Sequence, residues 1–471
     1  MKLVYDIADK PPIKKNLIYA FQQLLAIMAA TLLVPVLVNV NSGSNYMSQP
    51  AALLGAGVGT IFYLFMTQKK SPVFLGSSFA FIMPLASAVT FGYMGIFLGA
   101  IFAGLVYVAI ALIIRKTGSA WVNKLLPPVV IGPTVALIGL SLCGSAVNNI
   151  ANLNGDHNFL SLVEGFVGSI TAENLDQAVS INFFSGYSLI SILVGLIAFF
   201  ITVWASVKGG KSLKMVPFII GILGAYAVAL VFTLIGRATG VEALQLVKLS
   251  AFDNLQVFSL PEFTFLGMFK EGFSKFEGFS SVANIFMHFA PVAFVVLAEH
   301  IADHKNLSSI IDRDLITDPG LDKTLLGDGV GSIIGSFFGG CPNTTYGESV
   351  GCVAITGNAS VSTIFIAAIY CIVLAFFGPF TAFVNSIPDC IVGGVCIALY
   401  GFIAVSGLKM LQPVDLNDNR NLFVVAAILV CGIGGLTLKL GPVEISSTAT
   451  GLILGILVNV IFNKREAKAA E

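Results

Sequence analysis

Residues 342–348 read Pro-Asn-Thr-Thr-Tyr-Gly-Glu, and residues 75–79 read Leu-Gly-Ser-Ser-Phe. Each stretch lies in an apolar run of span length, and each makes a poor helix. Turn-formers, hydroxyls and β-branched residues stand where a helix favours Leu and Ala. Ser77-Ser78-Phe79 and Thr344-Thr345-Tyr346 repeat one pattern, two hydroxyls and an aromatic, at an offset of 267. A fainter echo sets Pro127 and Gly132 against Pro388 and Gly393, at an offset of 261. Matched interruptions in two halves of a membrane chain point to a transporter site near the bilayer midplane. Unwound backbone is tolerated at that depth only around a protein-lined cavity.

The rest of the chain supplies the membrane. Of 471 residues, 56% are apolar and 11% charged, against about 25% charged in a soluble domain. Mean hydropathy is +0.92. So little charge cannot cover a soluble surface, which excludes soluble enzymes, nucleic-acid binders and disordered scaffolds. Net charge is zero, so total charge names no partner. The 48 glycines suit close helix packing in lipid. The seven cysteines stand singly, with no CxxC pair and no Cys/His cluster, so no disulfide, metal or cofactor is expected. With a polar N-terminus and a long first apolar run, no cleavable leader is expected.

A span needs about 20 mostly apolar residues. Candidates are 16–38, 51–67, 72–90, 92–114, 125–144, 187–206, 215–236, 281–303, 323–340, 342–357, 360–384, 387–406, 421–437 and 446–463, fourteen in all. With the N-terminus inside, alternation puts twenty Lys and Arg in the cytoplasm and five, at 237, 248, 270, 275 and 439, outside. That bias is the positive-inside pattern. The 145–186 loop, which has acidic residues and no Lys or Arg, falls outside the cell. Fourteen spans divide into two halves of seven. Seven is odd, so the halves are inverted, with the broken segments third in each. The expected fold is therefore an all-α integral membrane protein, two inverted seven-segment repeats with both termini cytoplasmic.

Ionisable groups at membrane depth are rare and usually functional. Glu299 and Asp303 are i,i+4 in span eight and share a helix face. Glu348 follows the break in span ten, near the start of a half-helix, where N–H groups lack partners and the dipole favours a carboxylate. His300 reads as packing or support, His288 as structural and Asp328 as a helix–helix hydrogen-bond partner. Asp303 and His304 also fit a solvated cap at the cytoplasmic mouth.

Leu75–Phe81, Ala298-Glu299-His300 and Asn343–Glu348 resemble the nucleobase–ascorbate transporter family, above all its bacterial uracil permease branch. Asp318-Pro319-Gly320, Gln22, Ala30-Thr31, Val34-Pro35 and Gly393–Gly401 fit the same family, and the resemblance runs from about residue 10 to 463. It implies a core domain of spans one to four and eight to eleven (1–124 and 276–386) and a gate domain of the others (125–275 and 387–471). It implies short antiparallel strands in broken segments three and ten. It maps a substrate site onto Ala30, Phe79, Glu299, Tyr346, Gly347 and Glu348. Members often dimerise, which makes a second copy a candidate partner. Two departures stand out. Asp303 occupies a place where some uracil permeases carry His, and Ser349 replaces the usual Asn after Glu348.

Uracil is planar and neutral, with two N–H donors and two carbonyl acceptors. Glu299 and Glu348 offer acceptors, N–H groups at Gly347 and Glu348 offer donors, and Phe79 and Tyr346 offer flat walls. A carboxyl taken from water favours its neutral form, so Glu299 and Asp303 are the proton-carrier candidates, with sodium coupling as the alternative. The expectation is a proton-coupled uracil importer of a bacterial inner membrane, not an enzyme. A xanthine or other nucleobase symporter of the same fold, or an anion transporter of related architecture, is the runner-up.

Overall fold

A computed structural model describes residues 3–151, 186–210, 213–214, 216–253, 255–440 and 443–463. Most of the acidic 145–186 loop therefore lies outside the described residues. The chain is mostly helical. Its first half runs α1 (Ile13–Ser42), α2 (Gln49–Met66), β1 (Leu75–Ser77), α3 (Ile82–Ala88), α4 (Gly92–Thr117), α5 (Ala120–Leu125), α6 (Pro128–Ser141), α7 (Cys143–Ala151), α8 (Gly186–Val207) and α9 (Pro217–Thr239). The second runs α10 (Thr264–Glu271), α11 (Phe279–Ile311), α12 (Leu321–Phe338), β2 (Asn343–Thr345), α13 (Gly347–Thr356), α14 (Val361–Ala375), α15 (Gly378–Ser386), α16 (Asp389–Lys409), α17 (Asn419–Ile433), β3 (Leu438–Leu440), β4 (Val443–Ile445) and α18 (Ser447–Asn463).

Among the described residues, eight helical stretches are long and apolar enough to cross a membrane. Others are apolar but shorter, α14, α17 and α18 among them. The apolar run expected as one span over 360–384 is divided at Phe376–Phe377 into α14 and α15. Pro379 at the second position of α15 suits a helix start and could not continue α14 unbroken.

The helices pack as two compact units. One comprises Met1–Ser141, Gln256–Thr381 and Phe402–Glu471, the other Leu142–Leu255 and Ala382–Gly401. In the second unit α8 crosses the start of α16 where Gly195 meets Gly394, and a Cβ on Gly394 would overlap the Gly195 carbonyl. In the first unit α12 lies between α2 and α4. Gly55 and Gly59 of α2 face Gly335 and Gly331 of α12 in antiparallel order. A Cβ on Gly55 would stand 2.5 Å from the Gly335 carbonyl oxygen, and one on Gly335 would stand 2.7 Å from that of Gly55. Gly104 of α4 and Gly329 of α12 make the same reciprocal contact, at 2.6 and 2.7 Å. Small residues four apart let backbones touch where apolar side chains would gain little over lipid. This accounts for part of the glycine excess.

Residues 75–77 and 343–345 pair antiparallel, Leu75 opposite Thr345 and Ser77 opposite Asn343. A two-stranded ribbon leaves two outer edges, and bare edges in an apolar interior are costly. Each edge takes a hydroxyl from a neighbouring helix. Thr60 Oγ1 of α2 donates to the Leu75 carbonyl at 3.1 Å and accepts from the Leu75 N–H at 3.0 Å. Ser332 Oγ of α12 does the same for Asn343, at 3.0 and 2.9 Å. At the N-terminus, residues 4–7 run beside 357–361. Val4 N–H donates to the Gly357 carbonyl at 2.8 Å, and Ala359 N–H donates to the Tyr5 carbonyl at 2.9 Å. Asp6 pairs with Arg313 just past the end of α11.

Thr60→Val keeps shape but removes both hydrogen bonds to Leu75. Leaving two buried backbone groups unpaired should cost about 1–3 kcal/mol each, read as a lower midpoint in thermal unfolding of the detergent-purified protein. Thr239→Val, on an exposed side chain that bonds only the Ile235 carbonyl of its own helix, should leave the midpoint unchanged.

Candidate functional site

The ribbon fixes where the two broken segments end and their helices begin. After β1 the chain enters a 3-10 turn, Phe79–Phe81, in which Phe79 is almost fully buried. Ser78 N–H donates to the Pro342 carbonyl at 3.0 Å, so the start of this turn is tied to the segment entering β2. After β2, Tyr346 stands as the N-cap of α13. Gly347 and Glu348 are the first two residues of that helix, whose leading N–H groups have no intrahelical partner.

Tyr346 is buried and fully engaged. Its hydroxyl donates to the Ser77 carbonyl at 2.9 Å, and Thr31 Oγ1 lies 3.3 Å from it. Its ring lies on Gly76, where any Cβ would overlap it. Gly76 is therefore required by the ring, not by a turn. Ala30, also buried, precedes Thr31 in α1, the helix that packs on β1 and on the start of α13. Pro35, one turn on, has no N–H for the Thr31 carbonyl.

The second wall is α11. Here Glu299 and Asp303 are half-buried, while Ala298, His300, Ile301 and His304 around them are buried. Thr345 Oγ1, from the end of β2, donates to Asp303 Oδ2 at 2.8 Å. A Cβ on Gly347 would stand 3.6 Å from Asp303 Oδ1. Asp303 thus bonds the ribbon and lies beside the start of α13. Glu299, one turn back, shares its electrostatic surroundings with Asp303, Glu348 and Asp328. Glu348 is half-buried too. Three acidic side chains therefore converge with partly open faces, on a helix side and a helix start.

The adjoining side of α11, one residue further round, is closed. His300 Nδ1 bonds Asp328 Oδ2 of α12 at 2.7 Å, and its Nε2 bonds Thr324 Oγ1 at 3.0 Å. All three residues are buried. His304 Nδ1 lies 2.8 Å from the His300 carbonyl, which can only accept, so Nδ1 carries the hydrogen. In the neutral ring Nε2 then accepts from the Tyr63 hydroxyl at 2.8 Å. The two imidazoles stack at 4.2 Å. Asp328 is the helix–helix partner expected of it. His304 is no cap at a solvated mouth but an interior residue that ties α11 to α2. His288 bonds only the Asn284 carbonyl of its own helix.

The structure brings Ala30, Phe79, Glu299, Asp303, Tyr346, Gly347 and Glu348 to one region of the first unit. Three further participants carry little signal in sequence. Thr345 lies in the repeated triplet and Thr31 stands beside Ala30, but the pattern does not say that the first bonds Asp303 or that the second meets Tyr346. Gln23 donates its side-chain amide to Ser349, 326 residues away.

The arrangement has known counterparts. A model of the xanthine/uracil permeases, described as a permease family, matches residues 14–441. The uracil permease of Bacillus caldolyticus is 38% identical over 99% of this chain and 96% of its own. That of Bacillus subtilis is 35% identical over 100% and 98%, and that of Escherichia coli K12 32% identical over 97% and 93%. Among solved structures, the transmembrane domain of the cyanobacterial bicarbonate transporter BicA superposes with a TM-score of 0.57, covering 97% of this chain and all of that one at 14% identity. SLC26A9 superposes with a TM-score of 0.61, covering 96% of this chain and 66% of that one at 12% identity. These two share its fold, that of inverted-repeat transporters. From residue 14 to residue 441, and in relatives aligned almost end to end, the chain belongs to the nucleobase–ascorbate transporter family of xanthine and uracil permeases.

Proposed function

We propose that this protein imports uracil by proton symport across a bacterial inner membrane. The observation that carries the reading is the convergence of Glu299, Asp303 and Glu348 beside the first turn of α13. Acidic acceptors, a helix start whose leading N–H groups have no intrahelical backbone partner and the buried Phe79 ring match a planar ligand bearing N–H donors and carbonyl acceptors. Polar matching of this kind discriminates strongly, because a wrong ligand leaves buried groups unpaired. Tyr346, whose hydroxyl serves Ser77, contributes its ring edge and the placement of Gly347. An anion transporter would want a cation at this helix start. Glu348 stands there instead.

Protonation of Glu299 would neutralise the loaded site, and Asp303, one turn on, would pass the proton inward. The substrate would travel with a core domain of 1–124 and 276–386 that moves against a gate domain of 125–275 and 387–471. The core–gate division is drawn by span, fourteen in two inverted sevens, so α6, α17 and α18 fall to the gate although they pack within the first compact unit. Both termini are taken as cytoplasmic, and a second copy as a candidate partner.

In proteoliposomes, labelled uracil should accumulate when an inward proton gradient is imposed, and competing bases should rank below uracil. Accumulation driven by a sodium gradient alone would replace the coupling ion, and preferential uptake of xanthine would replace the substrate. Glu348→Gln exchanges one acceptor oxygen for a donor. A buried mismatch costs about 1–3 kcal/mol, ten- to more than a hundredfold in affinity. Calorimetric binding within about twofold of wild type would remove Glu348 from recognition.

Glu299→Gln mimics the protonated carboxyl. It should retain uracil exchange and lose gradient-driven accumulation. Accumulation at the wild-type rate and pH dependence would show that another group carries the proton. For orientation, a cysteine at Lys270 in a Cys-free background should react with an impermeant thiol reagent added outside, and one at Arg115 should not. The opposite labelling would invert the topology.

A further inference from the structure

Ser349 is the third residue of α13, directly after Glu348, and its hydroxyl is completely buried. Two donors from distant parts of the chain meet on that oxygen. Gln23 of α1, itself buried, donates its side-chain amide. Phe74, the residue before β1, donates its backbone N–H at 3.1 Å. The Phe74 carbonyl in turn accepts from the Tyr346 N–H at 3.2 Å. The Phe74 peptide is therefore clamped between residues 346 and 349, on either side of Glu348. The Ser349 oxygen thus ties the first turn of α13 both to α1 and to the residue that leads into β1.

Size is critical at this junction. A longer amide in place of Ser349 could not leave the Gln23 side chain where it lies, because Gln23 reaches the hydroxyl directly. The long side chain on α1 and the short one on α13 are complementary. Among the described residues no hydrogen bond joins the Glu348 carboxyl to another element, and its backbone contact is with its own N–H, so its direction follows from how this turn is held.

We infer that Gln23 and Ser349 act together as positioning residues for the Glu348 carboxylate, and through it set the affinity for the nucleobase. The inference rests on the function proposed above and adds two residues that need not touch the ligand. Removing the junction lets the first turn of α13 shift and takes Glu348 off its target. The effect falls on ligand affinity, and it vanishes when Glu348 no longer supplies the recognised group.

Uracil binding is measured by calorimetry on the purified full-length protein. Ser349→Ala and Gln23→Met should each raise Kd about tenfold, the scale of one lost buried hydrogen bond. Ser349→Thr, which keeps the hydroxyl, should stay within about threefold. The double variant Gln23→Met/Ser349→Ala should be no weaker than the weaker single, as expected of coupled sites. In a Glu348→Gln background, Ser349→Ala should add nothing. Two results overturn the inference: a Kd within twofold of wild type in both single variants, or the same fold-loss with and without Glu348. A merely structural role would give the second. If the wild-type protein binds no uracil, the proposed function fails. The pairing is then read by thermal unfolding of the same four proteins, where additive losses from Gln23→Met and Ser349→Ala overturn it.

Discussion

Backbone hydrogen bonding of the β1–β2 ribbon is the constraint on which the rest of the site depends. A helix interrupted in an apolar interior must find partners for every freed N–H and C=O. Here each broken segment finds them on the other, and the outer edges find them on Thr60 and Ser332. Those two hydroxyls come from α2 and α12, the helices joined through Gly55, Gly59, Gly331 and Gly335. Close glycine packing, edge closure and strand pairing are thus one construction. It sets where Phe79 turns away and where Gly347 and Glu348 begin their helix.

Helix α11 meets that construction with two different sides. Its buried side is fixed by His300 on Asp328 and Thr324 and by His304 on Tyr63. Its open side presents Glu299 and Asp303. The polar interior bonds on one side hold the rotation of the helix, and rotation decides whether the carboxyls on the other side face the start of α13. Thr345 completes the link by bonding Asp303 from the end of β2.

Much of this was legible in sequence because it is carried by pattern. The repeated hydroxyl-hydroxyl-aromatic triplet locates both interruptions, and Glu299, Asp303 and Glu348 stand out as charges at depth. What could not be read is carried by single residues with no period. Thr60 and Ser332 are isolated hydroxyls on apolar helices, a composition that fits bonding to their own helix equally well. Gln23 and Ser349 are 326 residues apart, and nothing local marks them as partners. The Gly378-Pro379 pair is a turn signal, but the length of the apolar run around it hides the division between α14 and α15. The β3–β4 hairpin, too short for an alternating pattern, is likewise visible only in three dimensions.

The pairing of residues 4–7 with 357–361 and of 75–77 with 343–345 also dictates an order of assembly. A ribosome delivers the first member of each pair more than 260 residues before the second. Through that interval the inner edge of β1 has no partner of its own chain, in a medium that offers none. The helices before β1 can insert as they are made, but β1 cannot reach its final backbone bonding until α12 and β2 have emerged. The meeting of Glu299, Asp303 and Glu348 beside the ribbon is therefore a late product of synthesis. A chain truncated between the halves would leave the membrane with an open strand edge to shelter.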